Sequence, residues 1–260
     1  MSGSPPSWAA ECNTDRIQEA LVLRRSDSGE SDRRLTLLTR DFGKLDVVAK
    51  GARKAGSRLA GSSEPLVFAR FAWAEGKHRR FITQVTPVTS FPKIRSDYDR
   101  LLVALAYVEV LATSLPYESP SPEYFDLATD SLKHFESCAD PGHALTWALV
   151  RLLEEEGHGA QFTQTIDTDE TLTWSPAAFH FRSGGIVRHI DDPGGCAILS
   201  AEALIGLSRI GMLAAPPARF NKGFEALRLV IDYWDFLLER PLPACRSLIE
   251  SLIPHDQPKP

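Results

Sequence analysis

Near residue 96 the spacing of apolar residues changes from a period of two to one between three and four. This switch limits the chain to a β unit followed by a helical one. From Arg16 to Arg95, short runs rich in Val, Leu, Thr and aromatic residues alternate with clusters of Gly, Ser and Asp. The pattern predicts strands over Glu19–Arg25, Arg34–Thr39, Leu45–Lys50, Leu66–Trp73 and Arg80–Val85. Asp41–Lys44 reads as a tight turn in which Gly43 is free to take a positive φ. Five strands within about 75 residues fit an OB-type barrel, a fold that often carries single-stranded nucleic acid across one face.

After Asp99, Leu101, Leu102, Leu105, Val108, Leu111 and Ala112 fall at helical spacing, and Pro116 ends that helix. Further helices are predicted over Glu123–Cys138, His143–Glu156, Ala201–Arg209 and Ala244–Leu252. Pro216 and Pro217 introduce the strongest amphipathic stripe, Phe224, Leu227, Ile231, Trp234 and Leu238, which we read as core. Between the third and fourth helices, 157–195 is rich in Thr and Asp. It holds two short strands, around Leu172–Trp174 and Phe179–Phe181, and a turn at Gly184–Gly185. The expected fold class is α+β multidomain: an N-terminal five-stranded OB-fold barrel (15–95), then an all-α helical domain (96–255) with a short β-hairpin insertion (157–195). Residues 1–14, rich in Ser and Pro with no apolar core segment, read as a disordered leader and not a signal peptide. No apolar run approaches the roughly 20 residues that span a bilayer, so a cytoplasmic protein with no membrane partner is expected.

Charge follows the same boundary. Arg16–Arg95 carries 17 Lys and Arg against 8 Asp and Glu, whereas Ser96–Pro260 carries 12 against 24. Such asymmetry suggests a polyanion-binding module joined to something else. The predicted loop from Lys50 to Gly61 carries Lys50, Arg53, Lys54 and Arg58 with three glycines and no acid, which suits an arm that clamps a phosphate backbone, or else a plain solvated loop. Gly51 and Gly56 have the spacing of G-x-x-x-x-G-K-S/T, but Ser57 and Arg58 follow, which excludes a nucleotide-triphosphate loop. A second basic cluster, Lys77–Arg80, lies between Trp73 and Phe81. Because Ala69, Phe71 and Trp73 alternate along one strand face, Phe71 and Trp73 are expected in the core and not as stacking platforms.

The four cysteines, Cys12, Cys138, Cys196 and Cys245, are far apart and form no C-x-x-C pair, so free thiols are expected. His158, His180 and His189 lack ligand spacing on one element, and no hydrolase, metalloprotease or dinucleotide motif occurs. The residues predict no enzyme, no metal and no cofactor.

The run GESDRRLTLLT from Gly29 to Thr39, Gly43–Lys44, AKGARK from Ala49 to Lys54, Ser57–Leu59 and Glu64–Pro65 resemble the bacterial RecO family. Tyr124–Leu127 and Leu227–Leu252 resemble the family's helical domain. The resemblance implies a DNA repair and homologous recombination mediator that binds single- and double-stranded DNA and anneals complementary strands. It further implies a protein that partners RecR, touches the acidic C-terminal tail of single-strand-binding protein, and helps load RecA onto coated DNA, in the cytoplasm with the nucleoid. Many RecO-like proteins carry a four-cysteine zinc finger in the insertion. The corresponding positions here are Thr165, Thr168, Arg188 and Asp191, so no zinc is expected, and the hairpin should persist by packing of Trp174, Phe179 and Phe181.

On this reading the DNA-binding residues are Arg24, Arg25, Arg33, Arg34, Lys44, Lys50, Arg53, Lys54, Arg58, Arg79 and Arg80, screening phosphate charge without reading base edges. The acidic half would serve protein partners, with Arg151, Arg219, Lys222 and Arg228 as its obvious cations. A general RNA- or single-strand-binding OB protein with an interaction domain is the alternative.

Overall fold

A computed structural model describes residues 16–171, 176–190 and 193–252. Its first five strands, β1 (Arg16–Ser28), β2 (Asp32–Thr39), β3 (Gly43–Ala49), β4 (Phe68–Glu75) and β5 (Arg80–Thr89), close a barrel in the order β1-β2-β3-β5-β4. This is the OB fold, with the alternation doing what the period of two requires. Ala20 and Val22, Leu35 and Leu37, Leu45 and Val47, and Ala69, Phe71 and Trp73 all point into one core. β2 turns into β3 through Gly43, whose φ is +63°. Closure is weakest between β3 and β5, which pair in parallel only at Val47–Arg80 and Val48–Phe81.

The strands differ from the expectation at several ends: β1 runs three residues further each way and β5 four residues past Val85. β4 begins at Phe68 because Leu66 takes φ +67°, while Leu66 and Val67 still exchange backbone hydrogen bonds with Val22. The predicted Lys50–Gly61 loop holds a short helix, α1 (Leu59–Ser62), where four residues between glycine-rich turns were too few to leave a periodic signal.

The chain divides into two compact units. The barrel takes in Leu115–Phe125, and the helical unit comprises Phe91–Ser114 and the chain from Asp126 onward. The division falls between Ser90 and Phe91, and Leu115–Phe125 returns to the barrel. Tyr117 forms a parallel bridge with Lys44, and the Glu118 amide donates to the Lys44 carbonyl at 2.8 Å. Backbone pairing of this kind has no hydrophobic period to announce it.

The helical unit holds α2 (Pro92–Ser96), α3 (Tyr98–Ser114), α4 (Pro122–Ser137), α5 (Pro141–Glu155), α6 (Ala201–Ile210), α7 (Gly223–Leu238) and α8 (Pro243–Leu252), the first residues of α4 falling with the barrel segment. α3 packs on α5 and α8, and α5 on α7. Cap chemistry sets the starts. The Asp140 side chain accepts from the His143 amide with Pro141 in the first turn, so α5 begins before the first apolar residue. The Glu109 carboxylate of α3 accepts the Ala244 and Cys245 amides at 2.8 and 3.1 Å and so caps α8. Of the α7 stripe, Leu227, Ile231 and Trp234 are buried, but Phe224 is 37% exposed and Val230 and Tyr233 join the buried face instead. No helix among the described residues is long and apolar enough to cross a membrane. Cys138, Cys196 and Cys245 form no disulfide among the described residues, and Cys12 and the whole 1–14 segment lie outside them.

The insertion forms a four-stranded sheet, ordered β6 (Gln161–Thr165), β8 (Gly185–Val187), β7 (Ala177–His180), β9 (Cys196–Leu199). Leu172–Trp174 and Asp191 lie outside the described residues. Phe179 is buried against Phe162 and Tyr233, and Phe181 stacks on Tyr233 and Phe236. At Thr165, Thr168 and Arg188, the described positions that the resemblance aligns with the zinc finger, the donors do not fit a metal. The buried Thr165 hydroxyl meets Thr168 Oγ1 at 2.7 Å and accepts from the Glu170 amide, while the Arg188 guanidinium pairs with Glu170. Asp167 completes a polar clasp, accepting the Arg188 and His189 amides at 3.0 Å.

Those bonds, from the His189 amide first and then the Arg188 amide and the His189 ring, hold the Asp167 carboxyl down to about 2. A depressed carboxylate stabilises the fold fully above its ordinary value near 3.9 and loses that contribution as pH falls toward its folded value. Asp167→Asn at neutral pH should therefore speed amide exchange at Arg188 and His189, and the parent should show the same loosening only between about pH 4 and 2. A metal chelator should leave both amides unchanged.

Candidate nucleic-acid interface

The short pairing of β3 with β5 leaves a cleft of about 500 Å³ on the barrel. Arg34 and Asp46 line it from β2 and β3, the Glu75–Arg80 hairpin from β4 and β5, and Tyr117 and Glu118 from the segment between α3 and α4. OB barrels take oligonucleotides on this β2–β3 surface, flanked by the first and last hairpin loops. The charges on the wall are already matched. Arg34 Nη2 lies 2.7 Å from Asp46 Oδ2, and Arg80 bonds Glu118 at 2.7 Å and Glu75 at 3.1 Å. Exposed cations stand on the rim. Lys77, His78 and Arg79 occupy the tip of the hairpin, which the Gly76 amide closes by donating to the Arg79 carbonyl at 2.8 Å.

The Lys50–Gly61 loop is tied down in its first half. The Gly51 amide donates to Asp32 Oδ1 at 2.8 Å and the Arg53 amide to the Ser31 carbonyl at 2.9 Å, and Ala52 is buried between them. The Gly51 bond, helped by Ser31, Lys50 and Lys54, holds the Asp32 carboxyl below the usual carboxylate range. Arg53 folds back onto the Gly29 carbonyl and Asp27, and Lys50 lies over the Phe81 ring at 4.1 Å. Lys54 and Arg58 are exposed, with no ion-pair partner among the described residues.

The eleven predicted site residues thus separate by environment. Arg24, Lys54, Arg58 and Arg79 are exposed and unpaired among the described residues. Arg25, Arg34, Arg53 and Arg80 are engaged by acids, and Lys50 by an aromatic ring. Lys44 is only 3% exposed, with its Nζ 4.4 Å from the Tyr117 ring centroid, so it faces no solvent-borne phosphate. Arg33 is a strut. Its side chain is 14% exposed, and Nη1 donates to Ala60 O, Ser63 Oγ and Glu64 Oε1 at 3.0, 2.6 and 3.0 Å, tying β2 to α1.

Because hydrogen bonds to charged groups contribute about 1.5–3 kcal/mol, Arg33→Ala should lower the thermal midpoint by several degrees. The salt slope of DNA binding should stay as in the parent. A reduced slope would instead make Arg33 a phosphate contact.

Two features escaped the sequence. The acids Asp46, Glu75 and Glu118 neutralise predicted cations, and Tyr117 enters from a distant segment. Diagonal strand neighbours such as Arg34 and Asp46 were in principle readable from the β2–β3 register. Among the described residues no three His, Cys, Asp or Glu are grouped to hold a metal.

The helical unit carries a second cavity, of about 420 Å³, lined by Ile205, Ile210, Leu213, Pro217 and Phe220 with Arg209, Arg219 and Glu202.

Comparison with known proteins agrees with this two-part architecture. A family model described as "Recombination protein O N terminal" matches residues 15–91, and one described as "Recombination protein O C terminal" matches residues 95–245. A Desulfitobacterium hafniense (strain DSM 10664 / DCB-2) protein is 33% identical over 169 residues, which span 65% of this chain and 62% of the relative. A Nocardioides sp. (strain ATCC BAA-499 / JS614) protein is 32% identical over 235 residues, 86% of this chain and 95% of the relative. An Exiguobacterium sibiricum protein is 29% identical over 237 residues, 85% and 90% respectively. Each is named "DNA repair protein RecO". With a barrel matched by one model and a helical unit matched by the other, in that order, the chain belongs to the RecO family.

Proposed function

We propose that this protein is a DNA repair and recombination mediator that binds single- and double-stranded DNA through the barrel and anneals complementary strands without bond chemistry. The observation that carries the reading is the set of exposed cations without ion-pair partners among the described residues, Arg24, Lys54, Arg58, Lys77 and Arg79, on a barrel whose cleft wall is charge-balanced. Such cations neutralise phosphates and release counterions irrespective of sequence, and screening two backbones at once lets complementary strands approach. Mixing complementary oligonucleotides with the full chain tests it. Pairing should accelerate, and the acceleration should fade as salt rises. A protein that merely traps single strands, as an RNA- or strand-binding module does, would slow pairing and overturn the annealing role.

The partners follow from the same reading: RecR, the acidic C-terminal tail of single-strand-binding protein, and through them RecA loading on coated DNA in the cytoplasm. The apolar cavity, lined also by Arg209 and Arg219, suits an acidic peptide with an apolar end, since the guanidinium groups answer carboxylates while Ile205, Leu213 and Phe220 take apolar side chains. Arg219 was among the cations considered from sequence, whereas Arg151, Lys222 and Arg228 do not line this cavity.

A further inference from the structure

We infer that Tyr117 is a base-stacking platform that makes the barrel cleft prefer single strands, an inference that rests on the DNA-binding reading above. Tyr117 is 54% exposed, and of the exposed large apolar residues among the described residues of the barrel unit, Ile17, Val88 and Tyr117, it alone is aromatic. Phe71 and Trp73 are buried, and Phe81 is covered by Lys50.

The mounting is rigid. Tyr117 bridges Lys44, and the next residue, Glu118, bonds the Lys44 carbonyl and Arg80. The segment then passes so close to the β2–β3 turn that a Cβ on Gly43 would lie 2.1 Å from the Ser119 carbonyl oxygen. Lys44 Nζ supports one face of the ring, and the hydroxyl reaches Asp46 Oδ1 at 3.4 Å. A ring held by its backbone, its hydroxyl and one face loses little conformational entropy when a base covers it.

The charges around the ring set the orientation of a strand. Phosphates placed against Asp46 and Glu118 would meet acids beside arginines that already have acid partners, whereas a neutral base carries no such penalty. Lys77 and Arg79 on the rim are exposed and lie within the same cleft. The arrangement turns bases inward onto Tyr117 and phosphates outward to the rim. Duplex bases are already stacked, so the ring engages single strands alone.

The test uses the full chain, a mixed-sequence single-stranded oligonucleotide, the corresponding duplex and an abasic strand of equal length. Tyr117→Ala should weaken binding to the single strand about fivefold or more, with duplex and abasic strand held as by the parent, and Tyr117→Phe should keep parental affinity. A single strand carrying 5-iododeoxyuridine should photocrosslink to Tyr117 in the unaltered protein. Equal loss on all three probes, or no loss on any, overturns the platform while leaving the DNA-binding reading standing. Failure of the parent to bind any of them overturns both.

Discussion

Replacing Lys54, Arg58, Lys77 and Arg79 together by glutamate is expected to weaken single-strand binding by roughly two to three orders of magnitude at about 0.1 M salt. The slope of log affinity against log salt should shrink by about 3, at about 0.7 for each phosphate no longer neutralised. These four side chains are exposed and have no ion-pair partner among the described residues, so the thermal midpoint should fall only slightly, through the loss of Lys54 beside Asp32. Reversing Arg34 and Arg80 instead should do less to the slope, because Asp46, Glu75 and Glu118 already neutralise them, and more to stability, because those acids would then face like charge. Fluorescence anisotropy over a salt series distinguishes the two variants. An unchanged slope in the fourfold variant would remove the loop and the hairpin tip from the interface.

Trp73→Ala should destabilise the protein by about 3–5 kcal/mol, a large fraction of the roughly 5–15 kcal/mol that holds a domain folded. The ring is 1% exposed at the centre of the barrel and meets Phe42 edge-on at 5.8 Å. Its indole N–H has no hydrogen-bond partner among the described residues, so Trp73→Phe removes an unsatisfied donor along with some apolar packing and should cost much less. Urea unfolding followed by circular dichroism measures both. If Trp73→Ala were as stable as the parent but bound DNA weakly, the ring would be a binding surface and the core assignment would fail.

The reading of Trp73 as core came from alternation alone, and the expectation of an OB barrel from five strands within about 75 residues. The other legible features were equally local: the turn at Gly43, the helices after Asp99, the basic character of the loop and hairpin, and the absence of thiols where a zinc finger would hold them. What could not be read was the partner of each charged side chain. Arg33 and Arg79 are alike in sequence, but one is a strut under α1 and the other stands on an open rim. Lys44 sits in a strongly matching motif and is covered by a tyrosine 73 residues later.

Sequence by itself determined the division into a basic barrel and an acidic helical unit, because period and net charge are sums over neighbouring residues. Tertiary structure alone decided which cations face solvent, where Leu115–Phe125 returns, and how Asp167 gathers the Arg188 and His189 amides into a clasp. Those outcomes depend on pairs of groups far apart in the chain, brought together only once the barrel and the small sheet are closed.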